Sequence, residues 1–270
     1  QGQVQAARAN LVRWSGVPEL MHDDPSGREN RYAPSWYQRS ASARLCEQYQ
    51  RGRCMALSEG FIAALEKLCQ VRRGAAVEQI DPGVESRNLD AGLVARPTST
   101  GDVQAIMQLC MAHLVPVVAQ GGRTGLAGGA VSQPGQLVVD LSGMNHAGIP
   151  DPVAGCIEVQ AGATLQAVQQ ACAAVGLSPG IDIAARGSAT IGGMISTNAG
   201  GREAFRFGVM RHRVLELEAV LPDGTLFCDM TRVTKINEGL DIKHFLIGQH
   251  RSLFLLQQLP YRYRRRRRPC

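Results

Sequence analysis

Ten glycines gathered in two short segments constrain this chain more than any other feature. The first segment, AQGGRTGLAGGA from Ala119 to Ala130, holds Gly121, Gly122, Gly125, Gly128 and Gly129. The second, ARGSATIGGMISTNAGG from Ala185 to Gly201, sets Gly187, Gly192, Gly193, Gly200 and Gly201 among Ser188, Ser196, Thr197 and Asn198. Glycine has no Cβ and tolerates positive φ, so successive backbone N–H groups in such a loop can converge on an anion. The hydroxyl and amide side chains of the second segment add the donors and acceptors that a flat, polar ligand requires. Neither segment is a GxGxxG between a strand and a helix, and neither is a GxxxxGK[ST], so the Rossmann and P-loop modes of nucleotide binding are excluded.

Short helices and strands alternate around these loops. In MALSEGFIAALEKLC, opened by Met55, Phe61, Ile62, Leu65, Leu68 and Cys69 share one helical face behind Ser58 as its cap. Ser99 likewise precedes a helix whose inner stripe is Val103, Ile106, Met107 and Cys110, and VPVVA from Val115 follows as a buried strand. GQLVVDLSGM and CIEVQAG read as further strands. TLQAVQQACAAVG reads as a helix with Leu165, Val168, Cys172 and Val175 on one face and Gly176 as its stop. VLELEAVLPDGTLF alternates at period two around Asp223-Gly224, which is a hairpin signal and makes Asp223 a turn residue. These elements give an α+β or α/β class, with helices packed outside short strands.

The net charge of +6 would suggest a nucleic-acid partner if it were spread over the chain. Six of its arginines lie within residues 261–270, so the rest of the chain is neutral and the charge argues for no such partner. The eight cysteines include no CxxC pair and no Cys/His cluster at ligand spacing, so no metal site is expected and Cys110 and Cys172 are read as core residues. No apolar run reaches the ~18 residues of a membrane span. Glu19, Asp23, Asp24, Glu29 and Glu47 fit poorly in a transit peptide, so the expected location is cytoplasmic.

The motifs QGGRTGLAGG, GSATIGGMISTNAGG, RFGVMRHRVLELEAVLPDG and DIKHFLIG occur in that order between Ala95 and Gly248. In order and spacing they resemble the FAD-binding domain of the vanillyl-alcohol-oxidase (PCMH) type, and most of all the D-lactate and D-2-hydroxyglutarate dehydrogenase group. The resemblance implies an α+β, two-subdomain FAD-binding domain. It implies that Gly121, Gly122, Arg123, Thr124, Gly125 and Leu126 cradle the FAD pyrophosphate. Gly187, Ser188, Ile191, Gly192, Gly193, Ser196, Thr197 and Asn198 would line the rest of the cofactor. Some members of this superfamily hold FAD covalently through a histidine directly after the Gly-Gly. Arg123 occupies that position, so FAD is expected to bind noncovalently, with the guanidinium offsetting phosphate charge or else lying in solvent.

By the same resemblance the protein is an oxidoreductase that moves a hydride from the α-carbon of a small 2-hydroxy acid to FAD. Electrons would then pass to a quinone, a cytochrome or an electron-transfer flavoprotein. Two alternatives stay open: another reaction on this fold, as in alcohol oxidases or UDP-N-acetylenolpyruvoylglucosamine reductases, and a non-enzymatic module that binds through its basic tail. His113 and His146 are read as surface histidines, and Asn237, Gly239, Asp241 and Lys243 as packing residues.

The resemblance weakens toward both ends. Residues 1–54 show no sustained periodicity and are expected to be a poorly structured leader, residues 55–248 the FAD-binding domain, and residues 249–270 a divergent basic tail. The stretch from Leu68 to Arg96 is shorter than the family's first strands require. After Gly248 the family's closing strand and its substrate (cap) domain, which carries the catalytic groups, are expected to be lacking. Both flanks are expected to lie outside the native reading frame, with Met55 near the start, and the chain itself to be inactive.

Overall fold

The computed structural model describes residues 57–229 and 241–249 and two strands within residues 255–265, and these belong to one compact unit, Ala56–Cys270. Residues 1–54, with the leader expected there, lie outside the described residues, as do Asn237 and Gly239.

Helix α1 (Glu59–Glu66) starts where Ser58 Oγ accepts the Phe61 N–H at 3.2 Å, and it buries Phe61, Ile62 and Leu65. Leu68 and Cys69 fall past its end. Strand β1 (Gln70–Arg73) follows and pairs antiparallel with β2 (Leu93–Arg96). Both strands therefore form inside the stretch that looked too short for them. Helix α2 (Thr100–His113) carries the Val103, Ile106, Met107 and Cys110 stripe inward. It returns the chain to β3 (Val117–Gln120), and β4 (Leu137–Asp140) then inserts between β2 and β3, parallel to both. The first sheet has the order β1-β2-β4-β3. Burial of all four residues of β4 explains its unbroken apolar run, since a central parallel strand is covered on both faces.

The second sheet is antiparallel and holds β5 (Cys156–Gln160), β7 (Leu217–Val220) and β8 (Leu226–Asp229). Between β5 and β7 run α3 (Leu165–Ala174), the short strand β6 (Leu177–Ser178) and α4 (Ile191–Ser196). Gly176 at φ 74° ends α3 as expected, whereas Val175 stays outside the buried face. The β7–β8 hairpin turns at Gly224, φ 82°, where Asp223 Oδ1 accepts the Thr225 N–H at 2.9 Å.

One element departs from the expected boundaries. Residues 255–262 form β9, which pairs with β5 on one side and β7 on the other and so completes the order β5-β9-β7-β8. The cofactor unit therefore extends past Gly248 and does not lack a strand at this place. Pro260 is compatible with an inner strand because it faces Glu158 of β5 beyond the last residue paired to β7, Gln258, so no ladder bond to β7 is lost there. A final pair of residues, β10 (Arg264–Arg265), lies antiparallel to β6.

Helix α2 links the two sheets. Thr100 Oγ1 donates to Glu218 Oε1 in β7 at 3.1 Å, and Gln104 Nε2 donates to the Gly224 carbonyl at 3.1 Å. Its buried Cys110 and the Cys172 of α3 are core residues, with burial pushing their thiols up to about 12 and about 11. Both stay protonated and unreactive at neutral pH.

The start of α2 is a full capping box: Ser99 Oγ accepts the Asp102 N–H at 3.1 Å, and Asp102 Oδ2 accepts the Ser99 N–H at 3.0 Å. Replacing Ser99 with alanine should cost about 1 kcal/mol of stability in urea unfolding, with an unchanged denaturant slope. An unshifted midpoint would mean that Asp102, which also accepts from Thr98, anchors the helix alone.

Candidate cofactor site

Strands β3 and β4 end in register on two polar residues, Gln120 opposite Asp140. The first glycine loop leaves from Gln120. Its buried amide Nε2 donates to the carbonyls of Asn88 and Ala130, the latter at 2.7 Å, which ties the loop's beginning to its end. Asn88 is held in turn, donating Nδ2 to the Pro82 carbonyl at 2.8 Å while its own carbonyl accepts from Ser132 Oγ at 2.8 Å. Neutral amides and hydroxyls thus frame the loop from below.

The glycines serve two different purposes. A Cβ at Gly121 would lie 2.1 Å from Thr190 Oγ1, and one at Gly122 would lie 1.8 Å from the Ser188 carbonyl oxygen. Both positions require glycine because the first loop passes closely over the second, Gly122 against main chain and Gly121 against the Thr190 side chain. Neither has positive φ; the left-handed residue of this turn is Arg123, at φ 52°. Gly125, by contrast, has nothing within 4 Å of its Cβ position, and the neighbouring Leu126 is 88% exposed. The open side of the loop is at Gly125.

The second loop divides in the same way. Ile191 and Gly192 are buried, and their N–H groups donate to the carbonyls of Ala163 at 2.9 Å and Ala161 at 2.8 Å. They anchor the loop on the β5–α3 connection and offer no free amide to a ligand. Gly187, Ser188, Gly193 and Thr197 are exposed, although the Thr197 hydroxyl donates back to the Gly193 carbonyl at 3.0 Å. Asn198 is left-handed at φ 48°, and its Oδ1 accepts the Arg211 N–H at 2.9 Å. The Arg211 guanidinium then donates to the carbonyls of His244 and Ile247, each at 2.7 Å, clasping the segment around Lys243 to this loop. Lys243 pairs with Asp241 there, and burial holds the His244 imidazole below its usual range against the opposing pull of Asp241.

Arg123 does not lie in solvent. Its Nη2 lies 2.8 Å from Asp140 Oδ2, its Nε donates to Gln120 Oε1 at 2.7 Å, and the two charged side chains are only 10% and 8% exposed. The guanidinium turns inward because a buried carboxylate waits at the end of the adjacent strand. Gln120, Asp140, Thr190, Asn88 and Arg211 all shape the site and were not singled out from the sequence. The available signal for two of them was an apolar strand ending on a polar residue just before a turn, VVAQ and LVVD.

An exposed, glycine-lined cradle between two sheets, backed by satisfied polar groups, defines a nucleotide-cofactor domain, and its amides and hydroxyls fit a dinucleotide. Residues 91–228 match the family described as FAD binding domain, just over half of the chain, and the chain belongs to that family. The cofactor the family binds is FAD. The D-2-hydroxyglutarate dehydrogenase of Xanthomonas citri pv. viticola is 40% identical over 169 residues, which cover 63% of this chain and 36% of that protein. The mitochondrial D-2-hydroxyglutarate dehydrogenase of Bos taurus is 33% identical over 201 residues, covering 73% and 37%. This chain therefore spans about a third of the length of the curated relatives it matches. Among solved structures, Physcomitrella patens BBE-like 1 is similar in fold, with a TM-score of 0.63, 19% identity and coverage of 76% of this chain and 44% of that one. An alkyldihydroxyacetonephosphate synthase superposes with a TM-score of 0.58 at 19% identity over 64% and 32% of the two chains. The resemblance read from the motifs and the α+β FAD-binding fold both hold. No described helix is long and apolar enough to cross a membrane.

The two kinds of glycine make opposite predictions for the same substitution. Gly122→Ala should lower stability by about 1–3 kcal/mol, as overpacking does, because backbone has to move. Gly125→Ala should leave the melting temperature of the flavin-free chain unchanged. Equal thermal shifts for the two variants would show that the loops do not touch at Gly122.

Proposed function

We propose that this chain supplies the FAD site of a flavin-dependent D-2-hydroxy-acid dehydrogenase. The observation that carries the reading is that two glycine loops in contact at Gly121 and Gly122 each leave exposed residues, Gly125 on the first and Gly187, Ser188, Gly193 and Thr197 on the second. In this reading the stretch from Gly121 to Leu126 holds the pyrophosphate through Thr124, Gly125 and Leu126, and Gly187, Ser188, Gly193, Ser196, Thr197 and Asn198 line the rest of the cofactor. Gly121, Gly122, Ile191 and Gly192 contribute by packing the two loops into one surface. When bound, FAD supplies the hydride acceptor for the α-carbon of the hydroxy acid. Noncovalent attachment is supported by Arg123, which stands where some members carry the linking histidine and is held by Asp140 and Gln120.

The reaction also requires a base for the hydroxyl proton and a cation for the substrate carboxylate. We assign both to the part of the relatives that this chain does not span. The relatives named as D-2-hydroxyglutarate and D-lactate dehydrogenases support a small 2-hydroxy acid as substrate. A quinone, a cytochrome or an electron-transfer flavoprotein is the electron acceptor in this scheme. A cytoplasmic location belongs to the same proposal and rests on the acidic residues among the first 54; several relatives are named as mitochondrial, and cell fractionation decides between the two.

Titration of the purified full chain with FAD, followed by flavin fluorescence, tests the site. FAD at 100 times its dissociation constant should stabilise the chain by about 2.7 kcal/mol. Gly125→Asp puts a carboxylate on the open face and should weaken FAD by at least about tenfold, near 1.4 kcal/mol, with the flavin-free melting temperature unchanged. Wild-type affinity in that variant would move the pyrophosphate elsewhere, and a wild-type chain that leaves FAD fluorescence and its own melting unchanged would refute the reading.

A further inference from the structure

Arg123 is the left-handed residue at the centre of the first loop, yet its side chain leaves the loop and enters the interior between β3 and β4. The guanidinium donates from Nη2 to Asp140 and from Nε to Gln120. Asp140 is itself fixed, because its second oxygen accepts the Ser142 N–H at 2.9 Å. Gln120 is fixed through its bonds to Asn88 and Ala130. A single planar group therefore joins the end of β3, the end of β4 and, through Gln120, the far end of the loop. Removing two charges from water is costly, and well-packed apolar side chains could hold two strand ends at least as well. What an apolar pair could not supply is direction, which the rigid fork of an arginine imposes on the backbone that carries it. The Arg123 carbonyl shows the result: it accepts the Val84 N–H at 3.2 Å, and a Cβ on Gly83 would lie 2.4 Å from it.

We propose that Arg123 and Asp140 are positioning residues, an internal clamp that sets the left-handed turn and so turns Thr124 and Gly125 outward, while the guanidinium takes no part in neutralising the ligand. The proposal rests on the assignment of this loop to the FAD pyrophosphate. The two roles open to Arg123 differ in sign. If its charge served the phosphate, Asp140 would compete for it, so Asp140→Asn would tighten FAD and Arg123→Lys would preserve binding. As a clamp, Asp140→Asn loosens the loop and weakens FAD, and lysine fails because one ammonium cannot reproduce the two-sided fork.

The experiment uses the full chain as wild type, Asp140→Asn, Arg123→Lys and the double variant Arg123→Gln/Asp140→Asn, which leaves no lone buried charge if a single variant fails to fold. Amide hydrogen exchange of residues 121–126 is read without flavin, and affinities are measured for FAD and for riboflavin, which has no pyrophosphate. Faster exchange confined to the loop in every variant that folds, with FAD weakened about tenfold and riboflavin unchanged, is expected. Tighter FAD in Asp140→Asn, full binding by Arg123→Lys, or wild-type exchange and affinity in the double variant would each overturn the clamp. A wild-type chain that binds no FAD would refute the function alone, and the exchange rates would still decide the clamp.

Discussion

The backbone contact between the two glycine loops governs the rest of the molecule. Gly121 and Gly122 leave the first sheet and pass over Ser188 to Thr190 so closely that a methyl group on either would penetrate its neighbour. Thr190 is at the same time the N-cap of α4, and the next two amides are bound to the β5–α3 connection of the second sheet. The seam, which meets main chain at Gly122 and the Thr190 side chain at Gly121, therefore couples β3 of one sheet to β5 of the other. At Gly122 the neighbour is the Ser188 carbonyl, which has no side-chain freedom to give way, so the contact there is sensitive to a single carbon atom. It also decides which glycines are free to meet a ligand: those facing the seam are used up, and Gly125 remains.

Electrostatics reinforces that geometry. Every polar group named beneath the first loop has a protein partner before any ligand arrives: Gln120 with two carbonyls and a guanidinium, Asp140 with an arginine and an amide, Asn88 with a carbonyl and a hydroxyl. Under the proposed function, a pyrophosphate entering such a site would meet amides already held in place. Hydrogen bonds to charged groups contribute roughly 1.5–3 kcal/mol each, and little of that is lost to ordering the loop. The glycines give access, and the polar frame gives rigidity.

The local parts of this fold were legible in the sequence and the non-local parts were not. Both caps, the α2 stripe, the end of α3 and the Asp223-Gly224 turn came out as read, because each depends on residues within one or two turns of chain. Strand β1, with the sequence QVRR, carries no alternation and exists only through its pairing with β2. Strand β9 lies in a stretch read as a tail, and its place is set by ladders to residues about forty and one hundred positions earlier. Arg123 was misplaced for the same reason: nothing near it in sequence reveals a carboxylate seventeen residues away that becomes its neighbour in space.

By itself the sequence determined the class of ligand and the family, since the spacing of glycines, hydroxyls and amides reflects what the loops have to admit. It also determined where α1 and α2 begin and where α3 ends, which follow from short-range hydrogen bonds. Only the tertiary structure decided which glycines stay open and which face the other loop, and where the arginine's charge goes. Both depend on the crossing of two loops more than sixty residues apart and on the register of Gln120 against Asp140. A residue's type limits what it can touch, and only the packing of distant segments selects among those contacts.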